Sequence, residues 1–311
     1  MLRTYTPHDP LMLATISYAA TLETQASWWS NIDTSAHPAL EPLVQAIKIM
    51  QSAVGNDLTA ARTALNEALR RVDAEHELEL YLIHVITDAR LLTFEKGAGA
   101  GMQRLAAVEH LFDTAPPVLR MAAHWRLGLL CRVAGHLAEA FNHLSAAREI
   151  AIVNTWEYDA ALLTSEVGAV YLETGDPVKA IAHLEETYQE LTRLGDDQYS
   201  DLILMNLALA HGRVGETATA ETLMDEAVKR QRVLAPFKKI VGAMLNLAAM
   251  KKRLGKIDEA NAIYEEVLQH TEDDPLNIAR ARAFIGLGSI CNENGDHGAA
   301  LSYLDNARAL A

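Results

Sequence analysis

Two cysteines in 311 residues, Cys131 and Cys291, exclude a disulfide framework. They fit a reducing compartment, and the chain is expected in the cytoplasm. Aromatic residues are scarce at 6%, and no long stretch alternates Val, Ile and Thr with polar residues, so a sheet is not expected. No apolar run is long enough to span a bilayer. The stretch from Leu11 to Ala20 is apolar, but Asp9 and Pro10 precede it and only Arg3 backs it, the wrong flanks for a secretion signal. Basic residues are the minority: 27 Lys and Arg against 41 Asp and Glu leave a net charge of -14. Phosphate binding needs a basic face, so nucleic acid is not the expected partner.

Catalytic signatures are missing too. There is no phosphate-cradling Gly–Lys loop, no His-Glu-x-x-His run, and no serine–histidine or paired-carboxylate constellation. Gly97 to Gly101 is glycine-rich but follows no strand, which argues against a nucleotide cradle. His136 and His143 share one repeat, yet seven residues along a helix is too far for one metal ion without other ligands. No metal, cofactor or enzymatic activity is expected of these residues.

What the chain has is hydrophobic residues, half of the total, with alanine and leucine prominent, which suits closely packed helices. It also has a repeat. Gly55, Gly135, Gly175, Gly215, Gly255 and Gly295 stand 40 residues apart or a multiple of 40, and Ala60, Ala140, Ala180, Ala220, Ala260 and Ala300 each follow five residues later. Seven residues before five of the glycines sits a small residue: Gly128, Gly168, Ala208, Ala248 or Gly288. Before it comes Leu127, Val167, Leu207, Leu247 or Leu287. Each offset has a physical reason. Glycine ends a first helix in a left-handed conformation, and Asp176-Pro177 and Asp258 suit the start of a second. The small residues let the two helices approach closely, and leucine, valine and isoleucine fill the rest of an apolar stripe. One such pair cannot bury its own apolar face, so pairs stack.

Repeats are expected to begin near residues 41, 81, 121, 161, 201, 241 and 281. The one over 81–120 is degenerate: Ala98, Gly99, Ala100 and Gly101 replace the single turn glycine, and Pro116-Pro117 ends its second helix early. Residues 1–40 are expected to form a capping helix and loop.

These residues resemble the tetratricopeptide repeat (TPR) family. Val167-Gly168, Tyr171, Gly175, Ala180 and Leu184 match its small-residue signature. So do Leu287-Gly288, Gly295, Ala300, Leu304 and Ala307, and Leu127-Gly128, Gly135, Ala140, Leu144 and Ala147. The resemblance covers 41–311, with a period longer than the family's usual 34 residues and without its terminal proline. It implies an all-α, right-handed superhelical solenoid of antiparallel helix pairs. The longer period is similar to arrays in MalT-like regulators, Rap-type peptide receptors, the sensory halves of some diguanylate cyclases, and kinesin light chain. In those the array receives a peptide, a protein or a small effector.

By the same resemblance, first helices line a concave groove. Asn206 and Asn246 share one register, where related arrays hydrogen-bond the backbone of an extended peptide; an amide donates and accepts at once. Alternatively each bonds only the neighbouring helix. Arg132, Arg213, Lys251, Lys252 and Arg253 form a basic strip at the ends of first helices, suited to a carboxylate or an acidic segment. The helix dipole alone also favours cations there. Trp125 and Met205 offer an apolar shelf or fill the core. Cys131 and Cys291, in the register of Tyr171, read as buried apolar side chains.

The expected function is a regulatory sensor module of a bacterial signalling protein that binds a peptide, protein segment or small effector. A capping helix and an output domain, which an enzyme would suit, are expected beyond Ala311. The alternative is a static scaffold, or a homodimer pairing through an open C-terminal end at Ile290, Leu301, Leu304 and Leu310.

Overall fold

A computed structural model describes residue 45 and residues 58–72, 76–234, 237–271 and 277–310. The expected N-terminal cap over 1–40, the turn at Gly55 and the terminal Ala311 lie outside the described residues. Among the described residues every regular element is helical. In chain order the helices are α1 (Thr59–Arg71), α2 (Leu78–Lys96), α3 (Ala98–Ala106), α4 (Pro117–Val133), α5 (Leu137–Val153), α6 (Glu157–Glu173), α7 (Pro177–Leu194), α8 (Asp197–Val214), α9 (Thr217–Leu234), α10 (Phe237–Arg253), α11 (Ile257–His270), α12 (Asn277–Glu293) and α13 (His297–Ala309). A 3-10 segment, Glu109–Thr114, lies between α3 and α4.

First helices start at 117, 157, 197, 237 and 277, and second helices at 137, 177, 217, 257 and 297. The 40-residue interval is therefore one helix pair, starting four residues earlier than the repeat boundaries read from sequence. Gly135, Gly175, Gly215, Gly255 and Gly295 all have φ between +75° and +92°. A side chain there strains the left-handed backbone, which is why glycine recurs. The turn closes with a six-to-one hydrogen bond, as from the Asp176 amide to the Tyr171 carbonyl at 2.8 Å and the Asp296 amide to Cys291 at 2.9 Å. Asp176, Asp196 and Asp296 then cap the following helices by accepting from Lys179, Tyr199 and Ala299 amides.

The chain divides into two compact units, 1–170 and 171–311. In the first, α4 and α5 pack as a pair, and α2 packs on both α3 and α4. Gly128 lies against Leu144, whose Cγ would be 2.7 Å from an added Cβ. Ala140, Leu144 and Ala147 are fully buried. The glycine-rich stretch is not all turn: only Gly97 breaks the chain, and Gly99 and Gly101 belong to α3. An added Cβ on Gly101 would meet the Ala89 carbonyl at 2.5 Å, so glycine lets α3 press onto the backbone of α2. The second helix of this repeat ends at Ala106, ahead of the proline pair expected to stop it. Pro116 is extended (ψ 147°), as a residue before proline must be, and Pro117 opens α4.

In the second unit, α8 packs on α7 and α9, α10 on α9, α11 and α12, and α12 on α11 and α13. Ala208, Ala220, Met224, Met244, Ala248, Ala260 and Val267 are all fully buried at the core of these pairs. This is the all-α solenoid of antiparallel helix pairs that the repeat implied.

Thr155 ends the α5–α6 turn at φ 57°, where Gly195, 40 residues on, has φ 75°. A β-branched residue in the left-handed region costs about 1–2 kcal/mol. Thr155→Gly is expected to stabilise the chain by roughly 1 kcal/mol, read as a raised denaturant midpoint with an unchanged m-value.

Candidate functional site

On α8, Leu202, Asn206, Leu209 and Arg213 follow one another at four, three and four residues, a single stripe of the helix. Forty residues on, α10 carries Gly242, Asn246, Ala249 and Arg253; a further forty on, α12 carries Arg282, Gly286, Ser289 and Glu293. Leu202 and Leu209 remain 44% and 36% exposed. Between them Asn206 is half-buried and makes no hydrogen bond to the described residues, while Met205 beside it leans on the core of α10. On α10, Gly242 faces open space, with nothing within 4 Å of an added Cβ. Ala249 is exposed as well. The α10 stripe is thus low, and the leucines of α8 and Ile285 of α12, 51% exposed, belong to helices in the same unit on either side of it in the chain.

The two asparagines differ. Asn246 accepts a hydrogen bond from the Arg282 guanidinium at 3.0 Å, so its amide oxygen is already engaged by the neighbouring first helix. The register is broken at its third member, Gly286, because Tyr264 of α11 lies across it: an added Cβ would sit 2.3 Å from Cζ of that ring.

The basic strip separates into bound and unbound members. Arg132 lies 3.4 Å from Glu166. Lys251, 6% exposed, is held by Glu221 at 2.9 Å and Glu259 at 2.7 Å. These contacts outweigh the burial that lowers its pKa, and hold the pKa above its usual value. Lys252 reaches along the wall to Ser289 at 2.6 Å and Glu293 at 2.7 Å. Second helices are tied in the same way by Arg232 on Glu266 at 2.6 Å. These cations join repeats. Arg213 instead donates to the Leu172 carbonyl, and Arg253 is exposed. Neither Arg213, Arg253 nor Arg282 has a carboxylate partner among the described residues. Trp125 is only 1% exposed; it fills the core of the first unit and offers no shelf. Sequence reasoning missed Gly242, Arg282 and the exposed leucines. The 40-residue register applied to every residue of α8 would have found them.

An open cleft of about 560 Å³ between α9, α10 and the turn before α11 holds Glu221, Asp225, Glu226, Lys251 and Lys256. Its charges largely satisfy one another, with Glu221 bonded to both lysines and its pKa lowered first by the hydrogen bond from Lys256. Among the described residues no three His, Cys, Asp or Glu side chains are placed to hold a metal ion. Burial and the Glu139 and Glu109 carboxylates push the Cys131 thiol up to about 11.

In the first unit His124 and His143 meet with Nδ1 atoms 3.1 Å apart, and Phe112 of the 3-10 segment packs edge-on against His124. Burial, and then His143, lowers the His124 pKa to about 4.

The comparisons with known proteins bear on the fold. Sequence-family profiles described as tetratricopeptide repeat match residues 202–236 and 240–311. Among curated proteins no sequence match is found. The apo form of RapI superposes with a TM-score of 0.65 at 12% identity, over 88% of this chain and 97% of that one. A Rap protein complexed with Competence and Sporulation Factor gives 0.65 at 17%, over 88% and 76%. A STAND protein with a tetratricopeptide repeat sensor, PH0952 from Pyrococcus horikoshii, gives 0.67 at 16%, over 86% of this chain but 41% of that one. At these identities the likeness establishes the fold alone: residues 202–236 and 240–311 match tetratricopeptide repeats, and the helical array folds like that of Rap proteins.

Two outcomes follow from this packing. Gly286→Asn restores the amide register but drives into Tyr264, and is expected to cost about 1–3 kcal/mol in denaturant unfolding. His124 titrates near 4 when folded and near 6.5 when unfolded, so only the unfolded chain gains its proton between those values. Stability from this site is complete above pH 6.5 and is lost as pH falls towards 4. His124→Gln is expected to flatten that part of a melting-temperature profile.

Proposed function

We propose that this chain is a peptide- or protein-binding regulatory module of a bacterial signalling protein, with its receptive surface on the first helices α8, α10 and α12. It acts by binding, without catalysis of its own. One observation carries the reading. Two exposed leucines on α8 bracket a half-buried asparagine that makes no hydrogen bond to the described residues, beside the low stripe of α10. Apolar surface and an unspent amide on one stripe suit a partner's side chains and its backbone together. The kinship in fold to a Rap protein solved with Competence and Sporulation Factor, and to a repeat array described as a sensor, supports the same reading. Such an array suits regulation because each repeat touches only its neighbours, so a ligand bridging several of them acts on their relative rotations. The isolated cysteines suit a cytoplasmic setting.

The test is photocrosslinking in the source cell. Benzoylphenylalanine placed at position 202 or 209 is expected to capture a partner that the same group at exposed Val178 does not. Against that partner, Asn206→Ala combined with Asn246→Ala is expected to weaken binding about tenfold, some 1.4 kcal/mol, with an unchanged melting temperature. Equal affinity in the double variant would remove the asparagines from the site. A constant self-contact, with no other partner captured, would favour a scaffold or homodimer instead.

A further inference from the structure

The three arginines on this wall set what kind of segment it accepts. In the second unit the neighbouring cations Lys251, Lys252 and Arg232 rest on carboxylates, yet Arg213, Arg253 and Arg282 have none among the described residues, in a chain of net charge -14. All three belong to the same stripe on successive first helices. Arg282 has instead taken the Asn246 oxygen, a neutral acceptor, at 3.0 Å. A guanidinium bonds a carboxylate about twice as strongly as a neutral acceptor, often through two parallel N–H donors.

We propose that the occupant is an extended segment in which Asp or Glu alternates with apolar residues, and that Arg282 is its selectivity switch. The inference rests on the groove reading above and goes further by assigning the occupant's charge. A carboxylate arriving over α12 draws Arg282 off Asn246. The freed amide then bonds the segment's backbone, as Asn206 does one repeat earlier, while apolar side chains settle against Leu202, Leu209 and Ile285. A neutral segment must break the Arg282–Asn246 bond with nothing in return. Acid recognition and backbone clamping are thereby one event.

The test uses the full chain and a random twelve-residue phage-displayed peptide library. Peptides rich in Asp or Glu alternating with Leu, Ile or Met are expected. The best of them, and its Glu→Gln and Asp→Asn counterpart, are then titrated by fluorescence anisotropy against the wild type and Arg282→Ala, an exposed substitution whose folding circular dichroism verifies. The wild type should prefer the acidic form at least tenfold. In Arg282→Ala the acidic form should weaken and the neutral form should tighten, so that the preference collapses. Equal weakening of both forms, or a neutral form that does not tighten, overturns the switch. Selected peptides that need Asn206 but are indifferent to charge overturn the assignment of an acidic occupant and leave the groove intact. Failure to select any peptide overturns both.

Discussion

Everything in this molecule depends on the close approach of two helices across a glycine turn. Glycine in the left-handed region reverses the chain in so few residues that the second helix starts two residues after it. The alanine five residues past the turn is buried in the five pairs from Ala140 through Ala300, whereas Ala60, read from sequence into the same register, is exposed and its neighbour Ala61 is buried instead. A larger side chain there, or at Gly128, would force the pair apart and with it the next pair. The wall of first helices exists only because this contact is repeated at one interval, which keeps every fortieth residue on the same stripe.

That constraint also explains the charges. A chain with so many carboxylates would repel itself, and the cations placed at the ends of first helices bridge repeats: Arg132 to Glu166, Lys252 to Glu293 and Lys251 to Glu221, with Glu259 of its own pair also holding Lys251. Such pairs are individually modest at a surface, but Lys251 is almost wholly enclosed, and its carboxylates hold its pKa above the usual value against that burial. Arg213, Arg253 and Arg282, which have no carboxylate partner among the described residues, are on the exposed stripe, and this separation from the ion-paired cations gives the wall its chemical character.

Helix pairing was legible in sequence because the turn glycine and its facing alanine are backbone requirements that tolerate few substitutes. The caps at Asp176 and the interval of 40 followed from the same logic. The degenerate repeat was less legible: Gly97, Gly99 and Gly101 look alike in sequence, but one reverses the chain and Gly101 admits the Ala89 backbone. The candidate site was legible only as a register. Asn206 and Asn246 look equivalent along the chain, whereas Arg282 from the next repeat occupies one and leaves the other. Trp125 and Lys251 read as surface candidates because helical position alone does not report burial; both are enclosed. Gly286 escaped notice since its cause, the ring of Tyr264, lies on the preceding helix.

The central claim is that the stripe shared by α8, α10 and α12 is where this array meets its partner. Leucine-methyl NMR spectra of the chain, titrated with a peptide selected for binding, test it most directly. The account predicts shifts at the Leu202 and Leu209 methyls, with Leu301 on α13 undisturbed. Shifts at Leu301 with Leu202 and Leu209 unmoved would contradict it.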